Sequence, residues 1–253
     1  MAFYDANVLY PAELRNLPMH LTMTGLFSAT WSAGVHEEWI TALLRNRPDL
    51  SREKLERTRM PMDKHAPDAL VTGYEDLIEG LQLPKPSDRH VLAAAIRGRA
   101  DVIVTANVRD FPADTLTPFE IEAQHPDEFI AHLLDLAPCV VLEAARCHRE
   151  SLKNPAKTVA EYLLTLETQG LTQTVSVLRE YMAAGQGSVL GNREFIASFL
   201  ILFSGLSGKS APPPLHAPVL SDRDSRISSG QPNRQEKEDD HKRRNPRASR
   251  PTL

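Results

Sequence analysis

Short apolar runs alternate with amphipathic stretches through the first half of the chain. The apolar runs predict four strands, at residues 2–5, 29–32, 69–72 and 101–105. Between them, apolar residues recur every three or four positions, which predicts helices over 11–26, after Ser32, over 51–63, over 75–81 and after Asp88. Strands that alternate with helices predict an α/β fold built on a parallel sheet.

The pattern becomes entirely helical from His125 onward. This pattern predicts a small helical appendix to the α/β part. We place the α/β domain at residues 1–135 and the helical extension at 136–184. Residues 185–208 are apolar but interrupted by glycines, and the sequence leaves their order open. Residues 209–253 are rich in Pro, Ser, Arg and Asp and cannot bury enough apolar surface to fold, so we predict a disordered tail.

The charge of the chain is mildly acidic and unevenly distributed. The 253 residues carry a formal net charge of −4 at pH 7. Residues 209–253 contain ten Lys or Arg and six Asp or Glu, so the rest of the chain is more acidic than the total indicates. An acidic body argues against a general coat for nucleic acid. If the protein handles RNA or DNA, we expect a local site where metal ions bridge phosphate to carboxylate.

Other features of the sequence bear on its cellular location. The N-terminus lacks the basic and apolar regions of a secretory signal, and the longest apolar run, at 195–206, is too short to span a bilayer. Cys139 and Cys147 lie eight positions apart in a helical stretch, which argues against a disulfide between them. We therefore expect a cytoplasmic protein with reduced thiols and no membrane segment.

Four acidic residues lie where the chain passes between buried strands and exposed loops or helices. Asp5 and Asp110 follow strand-like runs, whereas Glu38 and Asp88 are expected in the first turn of a helix. Carboxylates gathered there repel one another unless a divalent cation neutralises them, and Mg²⁺ or Mn²⁺ prefers such oxygen ligands. The pattern therefore predicts a metal-dependent phosphodiesterase.

The predicted site assigns different roles to these acids and their neighbours. Asp5 and Asp88 are the expected metal ligands, with Glu38 and Asp110 acting directly or through water. Asn7 and Thr105 are expected to hold a ligand carboxylate or a water by hydrogen bonds. Three of the acids taken alone also have an ordinary explanation: Asp88 as a helix cap, Glu38 as a solvated helix residue and Asp110 as a turn residue. Asp5 does not, because a carboxylate directly after a buried strand is costly without a partner. Similarly, Arg89, His90 and Arg109 are either contacts to RNA phosphate or solvated surface charges.

Four segments carry a resemblance to a known family: DANVLYP at 5–11, WSAGVHEEW at 31–39, the block at 83–112 and HPDEF at 125–129. The chain resembles the PIN-domain ribonucleases, in particular the VapC-like toxins of type II toxin–antitoxin pairs, in the PIN_3-like branch that carries a C-terminal helical extension. The resemblance implies a three-layer sandwich with a five-stranded parallel sheet. It also implies Mg²⁺-dependent endoribonuclease activity, a small antitoxin partner and a homodimer. The family's acidic positions fall on Asp5, Glu38, Asp88 and Asp110, and its loop-lining Thr and Asn fall on Thr105 and Asn107.

One segment departs from the family pattern. Relatives often have Asp-Pro-Asp-Asp where this chain has Lys85-Pro86-Ser87-Asp88. The lost negative charge weakens the expected site for a second metal, so occupancy by a single metal is an open alternative.

The sequence leaves two other functions open. One is a catalytically silent PIN-like module that binds RNA or a partner. The other is a phosphatase in which Asp5 itself is phosphorylated. Such phosphatases usually have a second Asp two residues further on, where this chain has Asn7.

Overall fold

The core of the protein is a five-stranded parallel sheet. The computed structural model describes residues 1–153 and 155–183. Its strands lie side by side in the order β3-β2-β1-β4-β5, and every neighbouring pair is parallel. They comprise β1 (Ala2–Tyr4), β2 (Ala29–Ser32), β3 (Leu70–Val71), β4 (Val102–Val104) and β5 (Glu122–Gln124).

The helices of the described residues occupy the connections between strands and the whole C-terminal part. They are α1 (Ala6–Leu9), α2 (Ala12–Thr22), α3 (Ala33–Asn46), α4 (Arg52–His65), α5 (Arg89–Arg97), α6 (Ala113–Leu116), α7 (Pro126–Leu136), α8 (Pro138–Ser151), α9 (Val159–Thr168) and α10 (Thr172–Ala183). Short 3-10 helices lie at Pro67–Ala69, Glu75–Gly80, Pro86–Asp88, Val108–Asp110 and Thr117–Phe119. The predicted fold class, α/β with a parallel five-stranded sheet and a helical C-terminal region, is confirmed.

The central strands are buried because helices cover the sheet. Every residue of β1 and β2 is buried, as expected for inner strands of a parallel sheet. Helices α3 and α5 both pack against β2, and α5 also packs against β4. Trp31 and Trp39 are fully enclosed in this core.

Two helix starts follow the predicted caps. The Ser32 hydroxyl accepts a hydrogen bond from the backbone N–H of Val35 (3.2 Å), and the Ser51 hydroxyl accepts one from Lys54 N–H (3.3 Å). Each serine satisfies a backbone donor that the first helical turn leaves without a partner. Local sequence therefore defines where α3 and α4 begin.

Several elements differ from what the sequence predicts. Helix α2 ends at Thr22 instead of residue 26, because the chain turns at Gly25, which has a left-handed φ of 76°. Residues 75–80 form a 3-10 helix instead of an α-helix. Strand β5 has no apolar signal in the sequence, since it is a polar edge strand defined by its pairing with β4.

The C-terminal helices α7 to α10 pack on one another and on α2. Helix α7 contacts α8 and α10, and α2 contacts α8 and α9. Cys139 and Cys147 are both free thiols, as predicted. The α/β domain and the helical extension therefore share an interface along α2.

Several predictions lie outside the part of the chain that the structure describes. These are the apolar segment 185–208, the tail 209–253 and residue 184 at the end of the extension. The boundary at residue 135, close to the end of α7, stays a prediction. Among the described residues, no helix combines the length and hydropathy needed to cross a bilayer.

Candidate active site

Asp5 lies at the carboxyl end of the sheet, held by its neighbours. It directly follows β1, and Thr105 directly follows the adjacent strand β4. The Asp5 carboxylate accepts hydrogen bonds from the Thr105 hydroxyl (2.7 Å), the Asn7 side-chain amide (2.6 Å) and the backbone N–H of Ala6 (2.6 Å). Asn7 also accepts a bond from the backbone N–H of Ala106 (2.8 Å). These contacts fix the orientation of the Asp5 carboxylate.

Asp88 forms the second buried carboxylate of the site. It ends the 3-10 helix Pro86–Asp88, directly before α5, and its side chain makes no capping hydrogen bond to α5. The helix-cap explanation of Asp88 is therefore wrong. Instead, its carboxylate accepts hydrogen bonds from the Ser87 hydroxyl (3.0 Å) and the Lys85 ammonium (3.3 Å). The ammonium also forms an ion pair with the other carboxylate oxygen at 3.0 Å.

Glu38 and Asp110 lie at more exposed positions around these two acids. Glu38 is in the second turn of α3, not the first, and its carboxylate is 3.4 Å from Nε2 of His90. Asp110 ends the 3-10 helix Val108–Asp110 and lies 3.9 Å from the Lys85 ammonium. Asn107 precedes that helix, and its backbone N–H donates to the Thr105 hydroxyl (3.1 Å).

The four acids interact electrostatically, either with one another or with Lys85. Burial raises the pKa of Asp5, and the negative charges of Glu38 and Asp88 raise it further, against the hydrogen bonds from Thr105 and Ala6. The pKa of Lys85 is raised by its hydrogen bond to Asp88 and by the charges of Asp88, Asp110 and Glu38. The fold therefore gathers the four predicted acids at the carboxyl end of the sheet, where open parallel sheets bind ligands.

The donor set fits a hard divalent cation with few protein ligands. Within residues 1–153 and 155–183, no three His, Cys, Asp or Glu side chains converge closely enough to form a metal-ligand group. Mg²⁺ keeps several of its waters and needs only one or two carboxylates. Asp5 and Asp88 supply such carboxylates. Burial is the main cause of the raised pKa of Asp5, and the charges of Glu38 and Asp88 add to it; a cation would neutralise those charges.

The predicted RNA-contact residues differ in their surroundings. Arg89 is partly buried, and its guanidinium approaches the side-chain oxygen of Gln82 (3.5 Å). Arg109 is exposed beside Asp110, whereas His90 faces Glu38. Arg109 is thus the more accessible of the two arginines to a ligand from solvent.

Lys85 is the site residue that the sequence reasoning missed. In the sequence it stands out only as a departure from the acidic family pattern, although its spacing of three residues from Asp88 is a usable signal for an ion pair. Its approach to Asp110 depends on tertiary structure and has no local signal.

Comparison with known proteins gives matches to parts of the chain. Residues 126–180 match the family model of the VapC50 C-terminal domain. A segment of 75 residues is 52% identical to “Putative ribonuclease VapC50” of Mycobacterium tuberculosis (strain ATCC 25618 / H37Rv), covering 28% of this chain and 44% of that protein. The match thus spans less than half of the relative's length. No solved structure matches the chain. Over the matched residues the chain is therefore similar to VapC50, and its parallel α/β fold with a helical C-terminal region is consistent with a PIN-like fold.

Proposed function

We propose that this protein is a Mg²⁺-dependent endoribonuclease and the toxin of a toxin–antitoxin pair, with Mn²⁺ as an alternative ion. One observation carries the proposal: four carboxylates at the carboxyl end of the sheet are close enough to interact electrostatically with one another or with Lys85. They are Asp5, Glu38, Asp88 and Asp110. The name of the Mycobacterium tuberculosis relative, which describes a ribonuclease, agrees with it.

The proposed mechanism assigns each acid a task. Mg²⁺, when bound, neutralises charge and lowers the pKa of a coordinated water. Asp5 and Asp88 would hold the ion, and Asn7 and Thr105 would keep Asp5 in a single orientation.

Hydrolysis requires a water oxygen to bond to phosphorus while the bond from phosphorus to the 3′ oxygen breaks. The attacking water gives up a proton, and the leaving oxygen gains one. Glu38 and Asp110, on the more open side of the site, would orient the water and accept its proton. Arg109, exposed beside Asp110, would contact RNA phosphate together with Arg89.

The decisive experiment is RNA cleavage by the purified full chain. Total RNA is incubated with Mg²⁺ or with EDTA, and new 5′ ends are mapped for the wild type, Asp5→Asn and Asp88→Asn. We expect Mg²⁺-dependent cleavage by the wild type and a loss of at least about 100-fold in each variant, because each removes a ligand charge. Thermal melting of Asp5→Asn should be unchanged or slightly raised, since the charged Asp5 carboxylate is disfavoured in the fold.

A matched control is Asp135→Asn, an exposed aspartate on α7. It makes the same chemical change away from the site and should cleave RNA like the wild type. If Asp5→Asn cleaved RNA as fast as Asp135→Asn, the assignment of Asp5 as a metal ligand would be wrong.

The antitoxin, the homodimer and the cytoplasmic location stay predictions of the resemblance and the sequence. A small protein encoded next to this chain should co-purify with it and suppress RNA cleavage. Light scattering of the isolated chain tests the homodimer.

A catalytically silent RNA-binding module is the second candidate. The ion pair between Lys85 and Asp88 favours it, because the ammonium engages a carboxylate that a metal would need. The same RNA experiment separates the two, since the silent module binds RNA without producing new 5′ ends. The phosphatase alternative has less support, because the Asn7 amide is committed to Asp5 and Ala106.

A further inference from the structure

Lys85 places a positive charge between two of the predicted catalytic acids. Its ammonium lies 3.0 Å from one carboxylate oxygen of Asp88 and 3.3 Å from the other. It lies 3.9 Å from the nearest oxygen of Asp110. The side chain is 50% exposed, so the ammonium borders both the acids and the solvent from which a substrate would enter.

The local backbone holds Lys85 in this position. The backbone N–H of Asp88 donates to the carbonyl of Lys85 (3.0 Å), which closes the 3-10 helix that begins with Pro86. In a 3-10 helix, side chains three residues apart lie on the same side. The contact between Lys85 and Asp88 is therefore a consequence of the turn itself.

The positive charge of Lys85 changes which ions the candidate active site can bind. An ammonium is a compact charge with three donors. Lys85 donates to Asp88 and is only an ion-pair partner of Asp110 at 3.9 Å, so at least one donor is left for another acceptor. A second dication near the same carboxylates would be repelled by this charge. The most suitable further acceptor is an anionic oxygen, because the ammonium attracts it and carboxylates alone would repel it.

We propose that Lys85 replaces a second metal ion, so that the centre holds one dication while the Lys85 ammonium binds a non-bridging oxygen of the RNA phosphate. This inference rests on the proposed endoribonuclease function. It makes Lys85 a catalytic residue in contact with the substrate.

The first test is metal binding, which is independent of activity. Mn²⁺ is titrated into the full chain and followed by electron paramagnetic resonance and calorimetry. We expect one Mn²⁺ per wild-type chain and one per Lys85→Arg, which keeps the charge. Lys85→Gln should bind Mn²⁺ at least about tenfold more tightly because the repulsion is gone, and Lys85→Asp should bind a second ion.

The matched control is Lys64→Gln, which removes the same charge from an exposed position in α4. It should bind Mn²⁺ like the wild type. Unchanged Mn²⁺ affinity and stoichiometry in both Lys85→Gln and Lys85→Asp would overturn the proposal.

The second test measures the contact between Lys85 and RNA. In EDTA, the slope of log affinity for single-stranded RNA against log salt should decrease by about 0.7 in Lys85→Gln, the amount expected for one lost phosphate contact. Cleavage at saturating Mn²⁺ should fall at least about tenfold in Lys85→Gln and be partly retained in Lys85→Arg. If cleavage and slope were both unchanged, Lys85 would pair with Asp88 only when no metal ion is bound and would not contact RNA. The proposal would then be wrong.

These outcomes separate the inference from the proposed function. If the wild type cleaves RNA and the Lys85 variants behave like it, only the role of Lys85 is wrong. If the wild type produces no metal-dependent cleavage, the endoribonuclease function is wrong, and with it the catalytic role of Lys85.

Discussion

Asn7 links the two loops that form the candidate site. Its amide nitrogen donates to Asp5 (2.6 Å) and to the Thr105 hydroxyl (2.9 Å), and its amide oxygen accepts from the backbone of Ala106 (2.8 Å). An amide is suited to this position because it offers donors and an acceptor at once. A carboxylate would serve Ala106 but would face Asp5 with a second negative charge.

The change Asn7→Asp tests this arrangement. Without added metal, we expect it to lower the free energy of unfolding by about 1 to 3 kcal/mol, because the donor is lost and a like charge is added beside Asp5. Mn²⁺ should restore part of the loss, since the added carboxylate attracts a cation. Urea denaturation with and without Mn²⁺ measures both effects.

Asn46→Asp is the matched control for this change. Asn46 is exposed, and its amide donates to the Tyr10 hydroxyl (2.9 Å). Its substitution should cost less than Asn7→Asp and show no recovery with Mn²⁺. Equal losses in the two variants would contradict the role given to Asn7.

The N-terminus of helix α10 is capped by a carboxylate from another helix. Asp127 of α7 accepts hydrogen bonds from the backbone N–H groups of Gln173 (2.8 Å) and Thr174 (2.7 Å) and from the Thr172 hydroxyl (3.3 Å). The carboxylate satisfies donors that the start of a helix leaves open and carries the charge favoured there. Asp127 of the segment HPDEF therefore has a structural role, because it joins α7 to the start of α10.

Removal of this cap should destabilise the packing of α10. We expect Asp127→Ala to lower the free energy of unfolding by about 2 to 3 kcal/mol, because two backbone donors lose a shared charged acceptor. Asp135→Ala, at an exposed position of the same helix, should cause no comparable loss. Urea denaturation followed by circular dichroism measures the difference, and similar midpoints for the two variants would rule out the cap.

Elements with local signals could be predicted from the sequence, and elements defined by distant pairing could not. Strand β2 has the predicted bounds, and Ser32 and Ser51 cap α3 and α4, because strand-forming residues and helix caps act locally. Strand β5 was missed because its polar residues become a strand only through their pairing with β4. In the site, the four acids were identified from position and resemblance. The contact between Lys85 and Asp110 joins separate loops and has no signal in the sequence.

The interface between the α/β domain and the C-terminal helices contains a pair of neighbouring histidines whose rings are tilted by 38°. His20 of α2 and His148 of α8 have ring centroids 5.5 Å apart, and Nδ1 of His148 lies 3.0 Å from the Tyr162 hydroxyl. Burial lowers the pKa of His20 to about 4. Burial, together with the charges of His20 and Lys157, lowers the pKa of His148 to about 3. Both imidazoles are therefore neutral in the folded protein at neutral pH.

This pair should make the stability of the whole molecule depend on pH. Unfolded histidine has a pKa near about 6.5, so the unfolded chain binds more protons than the folded chain between that pH and the lowered values. The stabilisation is complete above about pH 6.5 and is lost as the pH falls towards 4 and 3. From pH 7.5 to pH 5, we expect a loss on the order of 1 to 2 kcal/mol per histidine in the free energy of unfolding.

Urea denaturation across this pH range measures the slope of the free energy of unfolding against pH. The double variant His20→Gln with His148→Gln should have a shallower slope than the wild type. His132→Gln, at an exposed position of α7, should keep the wild-type slope. If the double variant kept the full wild-type slope, the pH dependence of the free energy of unfolding would arise from other groups. His20 and His148 would then not make the stability of the interface depend on pH.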